Sequence, residues 1–262
     1  MKPPAIIIPV VLAAFAAHYA LNEFFFADLY RQLAGSLGSR ALGYFLAYVV
    51  VGLPVVGATI WLHGTRGAVA SLGLDRRPWP ALGRAFLFSL PMLIGFAVLY
   101  PLNRELTVTQ VLATGVCAAF FEELYFRGFL FGQLFRFTRL GFVPAIALGA
   151  VVFALGHLHQ SQDPAVLIGV FATTFLGAVF FAWLYAEWDF NLWVPIGLHF
   201  FMNLHWMVFG VADNALGSPA ANILRALTIA AAIIGTRWHK RRQGRSAAVT
   251  WKTLWRQPVP NR

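Results

Sequence analysis

The sequence predicts an all-α membrane protein, a bundle of about eight transmembrane helices. Two observations favour this fold class. Of the 262 residues, 59% are hydrophobic and only 11% are charged, and the mean hydropathy is +0.68. A soluble domain is closer to half apolar and one quarter charged. The apolar residues also fall in long runs, and the spacers between them are too short to form a soluble domain.

The apolar runs match the length that a bilayer requires. A membrane-spanning helix needs about 20 mostly apolar residues. Eight segments approach or exceed this length, at residues 5–26, 41–62, 84–100, 108–134, 142–158, 165–186, 190–210 and 220–237. We expect one transmembrane domain over residues 1–240 and a basic tail over 241–262.

The first segment also resembles a secretory signal peptide, because Lys2 precedes an apolar run that contains small residues. The apolar character continues through "LNEFFFA" without a clear break after a cleavage site. We therefore expect the first helix to be retained.

The basic residues behind the net charge of +10 are distributed as the predicted membrane topology requires. Basic residues crowd into residues 66–84 and 237–262, beside apolar spans, as in cytoplasmic loops that face anionic lipid. This placement favours the bilayer, and not nucleic acid, as the partner. With eight spans, one side collects fifteen Lys and Arg and the other three, which are Arg31, Arg40 and Arg104.

The charge asymmetry predicts that both termini are cytoplasmic. Short Arg-rich loops and small size indicate a multi-pass protein of a bacterial inner membrane. In the tail, Trp251, Leu254 and Trp255 are spaced i, i+3, i+4 among basic residues. They predict either a short interfacial helix or a disordered basic tail.

Several polar side chains lie deep in the predicted spans. An ionisable residue near the bilayer centre costs about 2.5–3.5 kcal/mol or more, and so usually serves a function. The stretch "FFEELYFRGF" holds Glu122, Glu123 and Arg127, and later spans hold His157, then His199 with Asn203. The other acids, Glu187 among them, fall at span ends or in loops, where we expect water to reach them.

Helix geometry sorts these polar residues. Glu123 and Arg127 are four apart and share a helix face, which predicts an internal ion pair. Glu122 points about 100° away and needs a partner on another helix. The simplest arrangement gathers Glu122 with His157, His199 and Asn203 around one buried, hydrated pocket. Glu123 and Arg127 would then support the helix from its other side.

This set of side chains suits hydrolysis of a peptide bond inside a membrane. A buried Glu beside a His can activate water, and a second His and an Asn amide can donate to an oxyanion. Since no Ser or Cys accompanies the set, activated water is favoured over an acyl-enzyme. We interpret His18, His159 and His205 as interface or loop residues without a catalytic role.

A metal site is the main mechanistic alternative. Glu122, His157 and His199 have the ligand types of a three-ligand catalytic zinc site. However, an HExxH motif is missing, and no two histidines are spaced i, i+4. We therefore expect no metal and no other cofactor.

Three motifs in this region resemble those of a known family. "EELYFR" is similar to the EExxxR motif, "FALGH" to FxxxH and "HFFMN" to HxxxN of the CPBP (CAAX protease and bacteriocin-processing) family. That family includes the type II CAAX prenyl endopeptidases. The span count, motif order and motif spacing are also similar, and the resemblance covers roughly residues 85–210.

The resemblance implies a glutamate-dependent intramembrane protease. Glu122 and His157 would activate the water, His199 and Asn203 would form the oxyanion hole, and Glu123 and Arg127 would be supporting residues. The expected partner is a membrane-associated protein or peptide substrate, with or without a lipidated or hydrophobic tail.

The sequence leaves other functions open. Because the family contains proteins assigned to bacteriocin immunity, a non-catalytic immunity or partner-binding membrane protein is one alternative. A zinc-dependent protease and a proton-coupled transporter are others. The oligomeric state is not indicated by the sequence.

Overall fold

A computed structural model describes residues 2–257, and these residues form helices joined by short loops. The helices are α1 (Pro4–Leu37), α2 (Arg40–Val51), α3 (Leu53–Ser71), α4 (Pro78–Leu99), α5 (108–137), α6 (Phe142–Leu155), α7 (Pro164–Glu187), α8 (Trp193–Val208) and α9 (Pro219–Arg242), with a single 3-10 turn at Leu158–Gln160. Within residues 2–257 the only β pairing is an isolated bridge between Leu140 and Arg256. The predicted all-α class is confirmed for these residues.

Within residues 2–257, five helices are long and apolar enough to cross a membrane, or six if the bent pair of α2 and α3 counts as one span. The five are α1, α4, α6 with its 3-10 turn, α7 and α9. The α2–α3 pair bends by 47°. Helix α8 has only 16 residues, and α5 alternates between two helix types. All eight predicted segments lie on helices, but the count of eight crossings stays a prediction.

Local sequence signals set many helix ends. Proline lies in the first turn of α1, α3, α4, α7 and α9, where its missing N–H is not needed. The side chains of Ser39, Asp163 and Ser218 accept hydrogen bonds from the first-turn N–H groups of α2, α7 and α9. Gly38, with φ of 61°, ends α1.

The first helix is continuous from Pro4 to Leu37. It therefore extends about eleven residues beyond the predicted end of the first span, through the "LNEFFFA" stretch. Helix α1 packs along α2 and α3 and also contacts α5. These contacts make α1 part of the bundle, in keeping with a retained first helix.

Loops meet at two opposite ends of the bundle. At one end, Leu192 N donates to Gly73 O at 3.0 Å, and the indole of Trp193 donates to Leu74 O at 3.2 Å. At the other end, Asn103 N donates to Val208 O at 2.7 Å. The first end also carries the chain's N-terminal residues and the loop after α5.

The tail is neither the interfacial helix nor the disordered segment that the sequence predicts. It folds back onto the start of α6, where Phe142 N donates to Thr253 O at 2.9 Å and Val143 N to Leu254 O at 2.8 Å. The first N–H groups of a helix have no intrahelical acceptor, so tail carbonyls satisfy them. Residues 258–262 of the predicted tail lie outside the described residues.

Glu187 corrects a second expectation. It does lie at a span end, the last residue of α7, but water does not reach it because it is only 4% exposed. Its carboxylate lies 2.8 Å from the ammonium of Lys240 on α9 and accepts from the backbone of Ala248 and Val249. This buried pair ties α7, α9 and the tail together.

Candidate active site

Helix α5 carries the charged stretch and has an unusual backbone. Its α-helical parts, Val108–Gln110, Ala118–Glu122 and Gly132–Phe137, alternate with two π-helical parts, Val111–Cys117 and Glu123–Phe131. Such i→i+5 segments are rare and occur frequently at functional sites. The change from α to π falls between the two glutamates. Since a π turn holds more residues than an α turn, neighbouring side chains there diverge by less than 100°.

The predicted ion pair between Glu123 and Arg127 is confirmed. Oε1 of Glu123 lies 3.1 Å from Nη1 of Arg127, and both side chains are fully buried. The rings of Phe153 and Phe181 flank the guanidinium, with centroids at 4.6 and 5.4 Å, and their faces attract a cation. Within residues 2–257 the guanidinium nitrogens and Oε2 of Glu123 form no hydrogen bond.

His199 on α8 bridges the two glutamates. Its Nδ1 lies 2.8 Å from Oε1 of Glu123, and its Nε2 lies 3.9 Å from Oε2 of Glu122. The expectation that Glu123 and Arg127 occupy the other side of the helix is therefore wrong. Both carboxylates reach the ring of His199, so the two glutamates contact the same neighbouring helix.

Glu122 and His157 both line a cavity of about 120 Å³. The lining residues come from four helices and the turn after α6: His18, Tyr19, Asn22, Tyr48, Glu122, Tyr125, Phe126, Val152, Phe153, Gly156 and His157. The carboxylate side chain of Glu122 is 23% exposed, whereas that of Glu123 is 0% exposed. Glu122 is thus the member of the doublet that solvent or a substrate can reach.

His157 is held in one orientation. It follows α6 directly, in the turn before the 3-10 segment, and its Nδ1 lies 2.7 Å from Phe153 O. A carbonyl can only accept, so Nδ1 carries the proton and donates. In the neutral ring, Nε2 is then the nitrogen available as a base.

His18 is a cavity residue that the sequence interpretation missed. It is 4% exposed, its Nδ1 donates to Val51 O at 2.9 Å, and its ring centroid lies 4.2 Å from that of Tyr125. Asn22 lines the same cavity one helical turn later. A His and an Asn four residues apart in the apolar N-terminal part of α1 are the signal that could have identified this face.

Asn203 does not line the cavity. It lies on α8 one turn after His199 and is partly buried, and its amide forms no hydrogen bond within the described part of the chain. The structure places Glu122 and His157 on one cavity wall, and it places His199 3.9 Å from Glu122 but, like Asn203, outside the lining of that cavity. It leaves Asn203 beyond His199 and outside the cavity wall.

The remaining histidines have other partners. Nε2 of His205 lies 3.0 Å from Oγ of Ser89 on α4, and both residues are buried away from the cavity. Nδ1 of His159 donates to Gly156 O at 2.9 Å in an exposed turn. Among residues 2–257, no three His, Cys, Asp or Glu side chains are grouped closely enough to hold a metal ion.

The fold and the site define an integral membrane protein with buried carboxylates and imidazoles on adjacent helices. Residues 103–205 match the family model described as Type II CAAX prenyl endopeptidase Rce1-like. This match confirms the resemblance to the CPBP family over that segment and implies protease activity. The segment is less than half of the chain and contains all six motif residues. Neither the curated proteins nor the solved structures contain a match to this chain.

Proposed function

We propose that the protein is a glutamic-type intramembrane endopeptidase in which Glu122 and His157 activate water for hydrolysis of a peptide bond. The observation that carries this proposal is the shared cavity, which exposes the Glu122 carboxylate beside His157 while the adjacent Glu123 is buried. A general base must have access to the proton that it removes. Glu122 meets that requirement, and Glu123 does not.

The reaction needs a group that accepts a proton from water and a path by which that proton reaches the departing amine. Glu122 takes a proton from water as the water oxygen adds to the carbonyl carbon of the substrate. When the C–N bond breaks, the proton passes to the departing amine, directly from Glu122 or through Nε2 of His157. The immediate products are a carboxylic acid and an amine. They become a carboxylate and an ammonium ion once the acid proton moves to the amine, so atoms and charge balance without a metal or an acyl-enzyme.

His199 and Asn203 are the proposed oxyanion donors. Nδ1 of His199 faces Glu123, so the ring can donate from Nε2 only when both nitrogens carry protons. The carboxylate of Glu123 would stabilise that charged ring. The Asn203 amide, without a hydrogen bond to residues 2–257, is available for a substrate oxygen one turn further along α8.

The cavity restricts how a substrate can bind. At about 120 Å³ it is smaller than the 300–1,000 Å³ of typical ligand pockets. It has room for a reacting peptide unit and water, while the rest of the substrate must lie along the lipid-facing surfaces. We therefore propose a membrane-associated protein or peptide with a hydrophobic or lipidated terminus as the substrate, in a bacterial inner membrane, with both termini of the protease cytoplasmic.

The test uses purified full-length protein in liposomes and a fluorogenic peptide with a hydrophobic or prenylated tail. Glu122→Gln keeps the shape of the side chain but cannot accept the proton, so we expect the cleavage rate to fall by about 10²–10⁴-fold. Glu105→Gln makes the same change in an exposed loop and should leave the rate unchanged. Normal cleavage by Glu122→Gln protein would rule out Glu122 as the base, whereas no cleavage by wild-type protein would favour a non-catalytic binding protein.

A further inference from the structure

An open cleft lies at the basic end of the bundle, between the start of α1 and the folded-back tail. Its volume is about 540 Å³, and its walls are formed by Pro4, Ile8, Arg139, Leu140, Trp255 and Arg256. It shares no lining residue with the Glu122 cavity. The catalytic proposal therefore neither needs nor explains this cleft.

Backbone contacts build the cleft by fixing its two arginines next to each other. Gln257 N donates to Arg139 O at 3.0 Å, and Leu140 forms an antiparallel bridge with Arg256. Gly141 N donates to Trp255 O at 3.1 Å. A Cβ on Gly141 would overlap the backbone of Trp255 and Arg256, so a residue without a side chain is needed for this close approach.

The cleft has a positive charge that residues 2–257 do not neutralise. Arg139 and Arg256 are exposed, and within residues 2–257 neither has an acidic partner within 4.0 Å. The lining contains no carboxylate. Guanidinium groups bind phosphate oxygens well, because their planar donors match two oxygens at once.

The other walls of the cleft are apolar and lie beside the bilayer. Pro4 and Ile8 belong to the start of α1, where the neighbouring Ile6 and Leu12 are each 37% exposed. Trp255 is 71% exposed and Trp251 is 90% exposed. Exposed tryptophans are typical of the headgroup level of a membrane.

We propose that this cleft binds an anionic phospholipid. Arg139 and Arg256 hold the headgroup phosphate, Trp255 lies at the interface, and the acyl chains follow the apolar start of α1. Basic pockets between helices at the cytoplasmic face are known to suit such headgroups. The apolar wall favours a lipid over a free phosphate, because a soluble ion gains nothing from Pro4 and Ile8.

The experiment measures lipid binding by the full-length protein in neutral detergent, using native mass spectrometry with dioleoyl phosphatidylglycerol or dioleoyl phosphatidylcholine. We expect wild-type protein to prefer phosphatidylglycerol. The double variant Arg139→Gln/Arg256→Gln should weaken that binding by about tenfold or more. The matched control Arg66→Gln/Arg77→Gln removes the same charge from two other exposed arginines and should weaken it less than about threefold.

Three results would overturn the proposal: equal binding of the two lipids, an unchanged affinity of the Arg139→Gln/Arg256→Gln variant, or an equal loss in both double variants. Excess glycerol 3-phosphate carries the charge without the acyl chains. It should not displace the lipid, and displacement would assign the cleft to a soluble phosphate. Because all four arginines are exposed, each variant should keep the wild-type unfolding temperature.

Discussion

Glu122 and Glu123 are adjacent in the chain, yet they occupy two different environments. Glu123 is fully buried and is held by Arg127 and His199. Glu122 is 23% exposed, lines a cavity with His157, and has only the 3.9 Å approach to Nε2 of His199 among its charged neighbours. A carboxylate whose charge is fully compensated stabilises structure, and one that faces a cavity can react.

The contrast assigns a separate role to each glutamate of the EExxxR motif. Four helices meet around Glu123 and Arg127, because the partners of Glu123 lie on α5 and α8 and the rings around Arg127 lie on α6 and α7. This cluster fixes the position of α5. Glu122, on the same helix, lines the cavity with a partly exposed carboxylate.

The largest expected effect is the difference in stability between two single variants, each with one of the glutamates replaced by glutamine. Glu123→Gln removes the charge that compensates buried Arg127, and breaking a buried pair costs about 3–5 kcal/mol. Glu122→Gln removes no such compensation and should change the free energy of unfolding by less than about 1 kcal/mol. Thermal or denaturant unfolding in detergent micelles measures both values.

If Glu122→Gln lowered the free energy of unfolding more than Glu123→Gln, the structural role assigned to Glu123 would be wrong. Arg127→Met in the Glu123→Gln background offers a second check. Since the uncompensated charge is then gone, we expect the double variant to be more stable than Glu123→Gln alone. An additive loss would mean that the two side chains do not stabilise each other.

Much of the fold could be predicted from the sequence, because a lipid environment restricts the composition and secondary structure of each span. Spans must be apolar and helical, so all eight predicted segments fall on helices. The break between α2 and α3 was not predicted, because residues 41–62 were interpreted as one span. Buried ionisable groups stand out in such spans, which identified Glu122, His157 and His199.

Other features depend on contacts between distant segments and leave no local signal. The approach of both glutamates to His199 depends on how α5 packs against α8, which the local sequence does not show. The tail docks on α6 through its backbone carbonyls, which composition cannot reveal. His18 differs from these features: its spacing from Asn22 is a sequence signal, and what the sequence does not show is that α1 packs beside α5.

A substitution of His18 tests whether a cavity residue outside the three motifs contributes to cleavage. His18→Phe keeps the ring and its packing on Tyr125 but loses Nε2 and the hydrogen bond to Val51 O. We expect kcat to fall by about tenfold, since the cavity wall loses a polar group beside Glu122. His159→Phe, the same change in an exposed turn, should leave kcat unchanged, and equal rates in both variants would remove His18 from the site.

The smallest effect should come from the buried His205–Ser89 pair, which resembles a nucleophile with its base but lies outside the cavity. Hydrogen bonds between membrane helices contribute about 0.6–1.7 kcal/mol. Ser89→Ala should therefore lower the free energy of unfolding by about 1 kcal/mol, with cleavage unchanged. Its hydroxyl also donates to Phe86 O at 2.8 Å, a bond within α4 that needs no catalytic role. Suppose instead that Ser89→Ala reduced cleavage as strongly as Glu122→Gln, with folding intact. The nucleophile would then be a serine, and the reactive region would include α4.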